Sequence, residues 1–320
     1  MSTKTLRIMI VGLADDKFKE ISEATPKAEY IRVTDNAEEI RSKAAGINAL
    51  IGCPRAVFSD QLLTLIGPEL KWVHSGGAGI EDYITRGLIE SSAELTNGKI
   101  LQGPEIADHA FGLLLSLTRN IALVLRDVRN ASNPRPIELR GRTALIIGAG
   151  GIGILIAERA RAFGMKVLGL DADYVPMMGF FDTIYLPEDL YLALVQADVV
   201  FVATPHTKLS EKSIGTKEFY AMKKGAYFIN VSRGKIICTN SLISALESNH
   251  LAGAGLDVTE PEPLSADHPL KKMPNVVITP HIAGLSEHNR QRSFNLMKQN
   301  INRFVKGEPL LNIVNKKLGY

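Results

Sequence analysis

The sequence is poor in the features that mark secreted, membrane or nucleic-acid-binding proteins. Its two cysteines, Cys53 and Cys238, are far apart in a chain of 320 residues. Neither has CxxC or metal-ligand spacing, so a disulfide framework and a cysteine-held metal are excluded, and both read as reduced thiols lining a core. No apolar run approaches the roughly 18 residues of a membrane span. The amino terminus, MSTKTLRIMIVG, enters a strand-like segment without the layout of a signal peptide, so a cytoplasmic, non-membrane protein is expected. Net charge is only +3. The densest basic clusters, Lys223-Lys224 and Lys271-Lys272, are short and lack interleaved aromatics, which gives nucleic-acid binding no support. Internal repeats and low-complexity tracts are also missing.

What is present is the balance of a globular protein, 45% hydrophobic and 22% charged residues, at a length that suggests two domains with separate cores. Over the first hundred residues, strand-like runs at Leu6–Gly12, Tyr30–Thr34, Ala49–Gly52, Lys71–His74 and Ala93–Thr96 alternate with helical stretches, the rhythm of βα units on a parallel sheet. Gly103-Pro104 then opens an apolar segment that predicts one continuous helix over Glu105–Arg126. It should end before a loop at Asn133-Pro134-Arg135-Pro136. From Thr143 a second alternation predicts seven buried strands: Thr143–Gly148, Lys166–Leu170, Thr183–Leu186, Asp198–Ala203, Ala226–Val231, Gly253–Val258 and Val276–Thr279. The fold class is therefore α/β, with a doubly wound parallel sheet in this part of the chain. An amphipathic tail, Ser286–Val305, should form a last helix that stops at Lys306-Gly307.

The sharpest local signal is Gly148-Ala-Gly150-Gly151-Ile152-Gly153, placed directly after the apolar run ending at Ile147 and before a helical pattern through Ala157, Ala160 and Phe163. In that setting Gly148 suits a tight turn, Gly150 the approach of a pyrophosphate, and Gly153 close packing of helix on strand. The helix N-terminus offers free N–H groups and partial positive charge to phosphates. Asp171, at the end of the next strand and about 20 residues on, suits a ribose diol and repels a 2′-phosphate. With Asp173 close by and no arginine following, NAD(H) is predicted over NADP(H). The alternative for Asp171 is a turn cap.

Three loops at strand ends carry residues suited to hydride transfer on a keto acid. Arg233, in Val231-Ser232-Arg233-Gly234, is a guanidinium able to hold a carboxylate with two bonds. His281, after Thr279-Pro280, can give or take the proton on the substrate oxygen. Glu262, between Pro261 and Pro263, can orient the imidazole and favour its charged form. Taken singly, each is more often an ordinary surface residue; their joint placement carries the argument.

At this point the chain resembles the D-isomer-specific 2-hydroxyacid dehydrogenases, on Ser75-Gly-Gly-Ala-Gly79-Ile80, the GAGGIG loop, Val231-Ser-Arg233-Gly, Leu256-Asp257-Val, Glu262-Pro263 and Pro280-His281-Ile-Ala-Gly284. The interval of 29 residues from Arg233 to Glu262 is also the family's. The resemblance implies a catalytic trio of Arg233, Glu262 and His281 and substrate contacts from Gly77, Ala78, Gly79, Arg233 and His281. It implies a cofactor site that adds Asp257, for the nicotinamide carboxamide, and Gly284 to the glycine loop. Thr204, Pro205 and Ser210 would line the adenosine side, with Val231, Ser232, Arg233 and His281 also in contact with the cofactor.

It further implies an NAD-binding domain, residues 103–285, inserted in a smaller flavodoxin-like substrate domain, residues 1–102 with 286–320, and a homodimer. Trp72 and His74 are expected at a core edge, the alternative being that they face the substrate. Specificity is expected to depend on Cys53–Arg55, Trp72–Gly79 and Leu285–Asn289; Arg55 and Arg290 are expected to be solvated surface arginines, the alternative being that one of them accepts a second anionic group. The chain departs from the family in a short segment at 126–140 that lacks a tryptophan and in Glu81, where relatives often have aspartate. Two rival readings share the scaffold: oxidation of formate or phosphite, and an NAD-sensing corepressor of the C-terminal-binding-protein type.

Overall fold

In the computed structural model, which describes residues 5–126, 135–173 and 178–320, every pairing between named strands is parallel. Parallel strands need crossover connections, and helices supply them here. The chain divides into two units, residues 1–101 with 287–320, and residues 102–286.

The first unit runs β1 (Leu6–Val11), α1 (Asp15–Ala24), β2 (Ala28–Val33), α2 (Ala37–Lys43), β3 (Ala49–Ile51), α3 (Asp60–Ile66), β4 (Trp72–His74), α4 (Arg86–Glu90) and β5 (Glu94–Thr96). Its sheet order is β2-β1-β3-β4-β5, the flavodoxin-type order. Because side chains alternate across a strand, Met9 and Val11 enter one core with Val33, Leu50 and Val73. Ile8 and Ile10 enter another with Ile51 and Trp72.

The second unit runs α5 (Gly103–Thr118), α6 (Ile121–Arg126), β6 (Thr143–Ile147), α7 (Gly151–Ala162), β7 (Lys166–Leu170), β8 (Thr183–Tyr185), α8 (Leu190–Leu194), β9 (Val199–Val202), α9 (Thr216–Ala221), β10 (Ala226–Asn230), α10 (Thr239–Glu247), β11 (Leu251–Leu256), α11 (Pro269–Lys272) and β12 (Val276–Ile278). The order β12-β11-β10-β9-β6-β7-β8 reverses between β6 and β9. A crevice outside the carboxyl ends of strands at such a switch is where ligands of these sheets bind. β11 lets α5 lie close, since a β-carbon on Gly255 would stand 2.8 Å from Leu113 Cβ. The chain then returns to the first unit as α12 (Asn289–Lys306), whose Phe294 and Ile301 complete the Ile8–Trp72 core. Gly307, at φ 72°, ends it, as a left-handed C-terminal glycine does.

Two expectations are corrected. The helix over Glu105–Arg126 is two helices, α5 and α6. Asn120 sits between them at φ 57°, a left-handed conformation that asparagine tolerates and that no α-helix can continue through. The redirected α6 brings the Arg126 guanidinium onto the carbonyls of Met273 and Val276, at 2.8 and 2.6 Å. Cys53 is buried as expected, but Cys238 is only partly buried, because it occupies the N-cap position of α10 rather than a core-facing one. Asn133, Pro134 and Tyr174, with most of the 126–140 segment, lie outside the described residues. Among those described, no helix is long and apolar enough to cross a membrane.

Candidate active site

The glycine loop follows β6 and opens α7. A β-carbon on Gly148, which has φ 94°, would fall 2.6 Å from the Thr204 backbone nitrogen, and one on Gly153 would fall 2.0 Å from the Gly148 carbonyl oxygen. These two glycines are therefore demanded by packing. Gly150 differs: a β-carbon there would meet nothing within 4 Å. The backbone is bare on its open side, and α7 begins without a side-chain cap, so its first amides are available to a phosphate. Gly151 and Ile152 form that first turn. The residues present thus fit a dinucleotide. Asp171, one residue beyond β7, receives the Ala149 amide at 2.7 Å and the Asp173 amide at 3.0 Å. It braces the loop and caps its own turn at once. Across the switch point, Ser210 accepts the Thr207 amide and donates to the Pro205 carbonyl, at 2.8 and 2.7 Å, which closes the Thr204–Ser210 loop on itself.

The three chemical residues leave separate strand ends of this same unit. Ser232 is buried beside Val231. Asn230 fixes the turn, donating to the Arg233 carbonyl at 3.0 Å and accepting the Ser232 amide at 3.1 Å. The Ser232 hydroxyl donates to the Thr204 carbonyl at 2.5 Å. The next residue, Gly234, is pressed so tightly against the following loop that a β-carbon would lie 2.0 Å from the Thr259 carbonyl oxygen. That approach sets the Arg233 turn beside the loop bearing Glu262.

Glu262 accepts the Thr259 amide at 3.2 Å with one oxygen and faces His281 Nδ1 at 2.7 Å with the other. With Nδ1–H engaged by a carboxylate, Nε2 carries no hydrogen bond among the described residues. Both side chains remain about 40% exposed (45% for His281, 42% for Glu262). The geometry brings an always-charged cation, an imidazole and its orienting carboxylate to the carboxyl edge of one sheet. Gly284 packs on Gln102, whose side-chain amide donates to its carbonyl at 3.1 Å.

Asp257 is more constrained than the sequence suggested. Its side chain is 1% exposed. It accepts the Thr279 hydroxyl at 2.6 Å and the successive amides of Ile282 and Ala283, both at 2.9 Å. His109 and Thr279, which sequence reasoning passed over as helix and strand residues, belong to this cluster. The one available signal was the adjacency of Thr279 to His281.

Gly77, Ala78 and Gly79 lie in the first unit, in the turn after β4. Their carbonyls are tied down by the Gly98 amide at 2.9 Å, the Asn97 side chain at 2.7 Å and Arg55 at 3.1 Å. Among the described residues none of their own amides donates a bond, which leaves an N–H-lined turn of the kind that binds anions. Trp72 and His74 are buried in the core. Trp72 Nε1 donates to the Thr96 hydroxyl at 2.8 Å, which in turn meets His74 Nδ1 at 2.8 Å.

Residues 111–283 match the family model described as the NAD binding domain of D-isomer specific 2-hydroxyacid dehydrogenases. The chain is 33% identical over 263 residues to a glyoxylate reductase of Korarchaeum cryptofilum, covering 78% of each protein. Among solved structures, D-mandelate dehydrogenase of Rhodotorula graminis superposes with a TM-score of 0.84 at 26% identity over 97% of each chain. D-lactate dehydrogenase of Aquifex aeolicus, complexed with NAD and lactic acid, superposes with a TM-score of 0.76 at 25% identity over 94% of this chain and 96% of that one. With a dinucleotide cradle at the sheet's switch point and the family model spanning it, the chain belongs to the D-isomer specific 2-hydroxyacid dehydrogenases and is an NAD-dependent oxidoreductase.

Proposed function

We propose that the protein reduces a small 2-keto acid to the D-2-hydroxy acid, with Arg233 holding the substrate carboxylate, His281 donating the proton and Glu262 orienting His281. The observation that carries this reading is the 2.7 Å contact of Glu262 with His281 Nδ1, next to an Arg233 turn held by the Gly234–Thr259 approach. NADH, when bound, supplies the hydride. The bidentate guanidinium fixes the carboxylate and so the carbonyl beside it. His281 Nε2–H protonates the carbonyl oxygen as negative charge develops there, and the Glu262 carboxylate stabilises the protonated ring until that moment. In the reverse direction Nε2 takes the hydroxyl proton.

Asp171 supports a preference for NADH over NADPH, since its carboxylate repels a 2′-phosphate. Replacing it with alanine should narrow the ratio of kcat/KM between the two cofactors; an unchanged ratio would count against this role. The relative named glyoxylate reductase makes glyoxylate the first substrate to test, beside hydroxypyruvate, pyruvate, 2-ketobutyrate, phenylpyruvate and phosphohydroxypyruvate, followed by NADH absorbance. On the best of these, His281→Ala should keep NADH binding and lose roughly 10²- to 10⁴-fold in kcat. Near-full activity of that variant would remove His281 from the mechanism.

A further inference from the structure

His109 stands on α5, 172 residues before His281 in sequence, yet its Nε2 is 2.8 Å from the Thr279 hydroxyl, and that hydroxyl is 2.6 Å from Asp257 Oδ1. The direction of this chain follows from hydrogen counting. A hydroxyl has one hydrogen and a carboxylate only accepts, so the Thr279 hydrogen goes to Asp257 and the Thr279 oxygen must accept from His109. His109 therefore carries its hydrogen on Nε2, an assignment the network dictates. The Asp257 carboxylate, fixed in one orientation, receives the amides of Ile282 and Ala283, while its own backbone carbonyl receives the His281 amide at 2.9 Å.

The segment held in this way includes a residue of positive φ. His281 has φ 54°, a region that a residue with a β-carbon adopts only when its surroundings impose it. Glu262 fixes the ring of His281, and Asp257 fixes the backbone from which that ring projects.

We propose that His109 and Thr279 are positioning residues for His281, acting through Asp257, and that neither touches the reactants. The proposal rests on the reading of His281 as the acid–base residue. A purely structural role, tying α5 to the end of β12, would change thermal stability and leave turnover alone; a positioning role changes kcat.

The test is a double-mutant cycle of His109→Leu and Thr279→Val in the full-length protein, with His281→Ala assayed in parallel on the same keto acid. NADH binding is followed by fluorescence, and Tm is recorded for each variant. Each single variant should lower kcat about ten- to hundred-fold, the scale of a misplaced catalytic group. The double variant should lose little more than the worse single one, because both cut one relay. KM for the keto acid and the NADH dissociation constant should stay within about twofold, the pattern of an interaction lost only in the transition state.

His109→Gln, whose amide N–H can still reach Thr279, should recover most of the rate. Unchanged kcat in either single variant, fully additive losses, or a glutamine variant as slow as the leucine one would each overturn the proposal. Should His109→Leu fail to fold, the near-isosteric Thr279→Val decides alone through its kcat. An active His281→Ala would instead sink the reading of His281 itself, whereas an inactive His281→Ala beside a fully active His109→Leu would sink only the relay.

Discussion

Glu262 bridges two loops, with one oxygen 2.7 Å from His281 Nδ1 and the other 3.2 Å from the Thr259 amide. The first contact concerns charge and the second concerns only position. Glu262→Gln keeps an oxygen for the Thr259 amide but leaves an NH2 facing His281 Nδ1, so the acceptor that holds Nδ1–H is lost. It should therefore fold normally, with a kcat loss on the order of tenfold or more, since the ring is no longer held with Nε2–H towards the substrate. Steady-state rates beside a thermal melt decide it. Full activity in the glutamine variant would mean that neither the charge nor an acceptor facing Nδ1 is needed.

The glycines of the GAGGIG loop should separate folding from cofactor binding. Gly153→Ala puts a methyl 2.0 Å from the Gly148 carbonyl oxygen, an overlap that only backbone movement relieves, and should cost about 1–3 kcal/mol or more in urea unfolding. At Gly150 the same methyl meets nothing within 4 Å. Gly150→Ala should leave stability within about 1 kcal/mol, the usual cost or gain of such an exchange, and weaken NADH binding. Equal melting points for the two variants would contradict this division.

Burial of His74 lowers its pKa from 6.5 to about 4, so the folded protein holds this ring neutral while the unfolded chain protonates it below pH 6.5. Stability should thus be intact above that pH and fall as the pH drops from 6.5 towards 4. The loss at pH 5 is about 2 kcal/mol, from 1.36 kcal/mol per unit of pKa difference. Urea titrations at pH 7 and pH 5 on the protein and on His74→Asn measure it: the variant should lose the larger part of that difference. An identical pH dependence in both would show that other groups govern it.

The two thiols should differ in reactivity. Burial pushes Cys53 up to about 12, whereas hydrogen bonding from the Ser241 side chain holds Cys238 below the ordinary thiol range. Since the thiolate is the nucleophile, iodoacetamide near neutral pH should label Cys238 in the native protein and Cys53 only after denaturation. Peptide mass spectrometry reads this out, and equal native labelling would be the contrary result.

Much of this molecule is written locally. Runs such as Thr143-Ala-Leu-Ile-Ile and Val199-Val-Phe-Val, short and bounded by turn signals, read as strands buried on both faces, and Gly148, Gly150 and Gly153 are spaced for a turn that opens a helix, so the strand pattern and the cofactor loop were readable from neighbours alone. The trio of Arg233, Glu262 and His281 was readable as chemistry and by resemblance, each at a strand end. Asn120 shows where such reading stops: a hydrophobic period continues through it, and nothing in the period reports a single left-handed residue.

The sequence by itself determined the strands and the dinucleotide turn and singled out Arg233, Glu262 and His281 as candidates, because those depend on residue type and short spacing. Only the tertiary structure decided that Gly234 presses on Thr259 and that His109 reaches Asp257 through Thr279. It also decided that His281 is held in a backbone conformation it would not adopt alone. Such relationships arise when distant segments fill the same volume, and a linear pattern holds no record of which hydrogen bonds that packing leaves available.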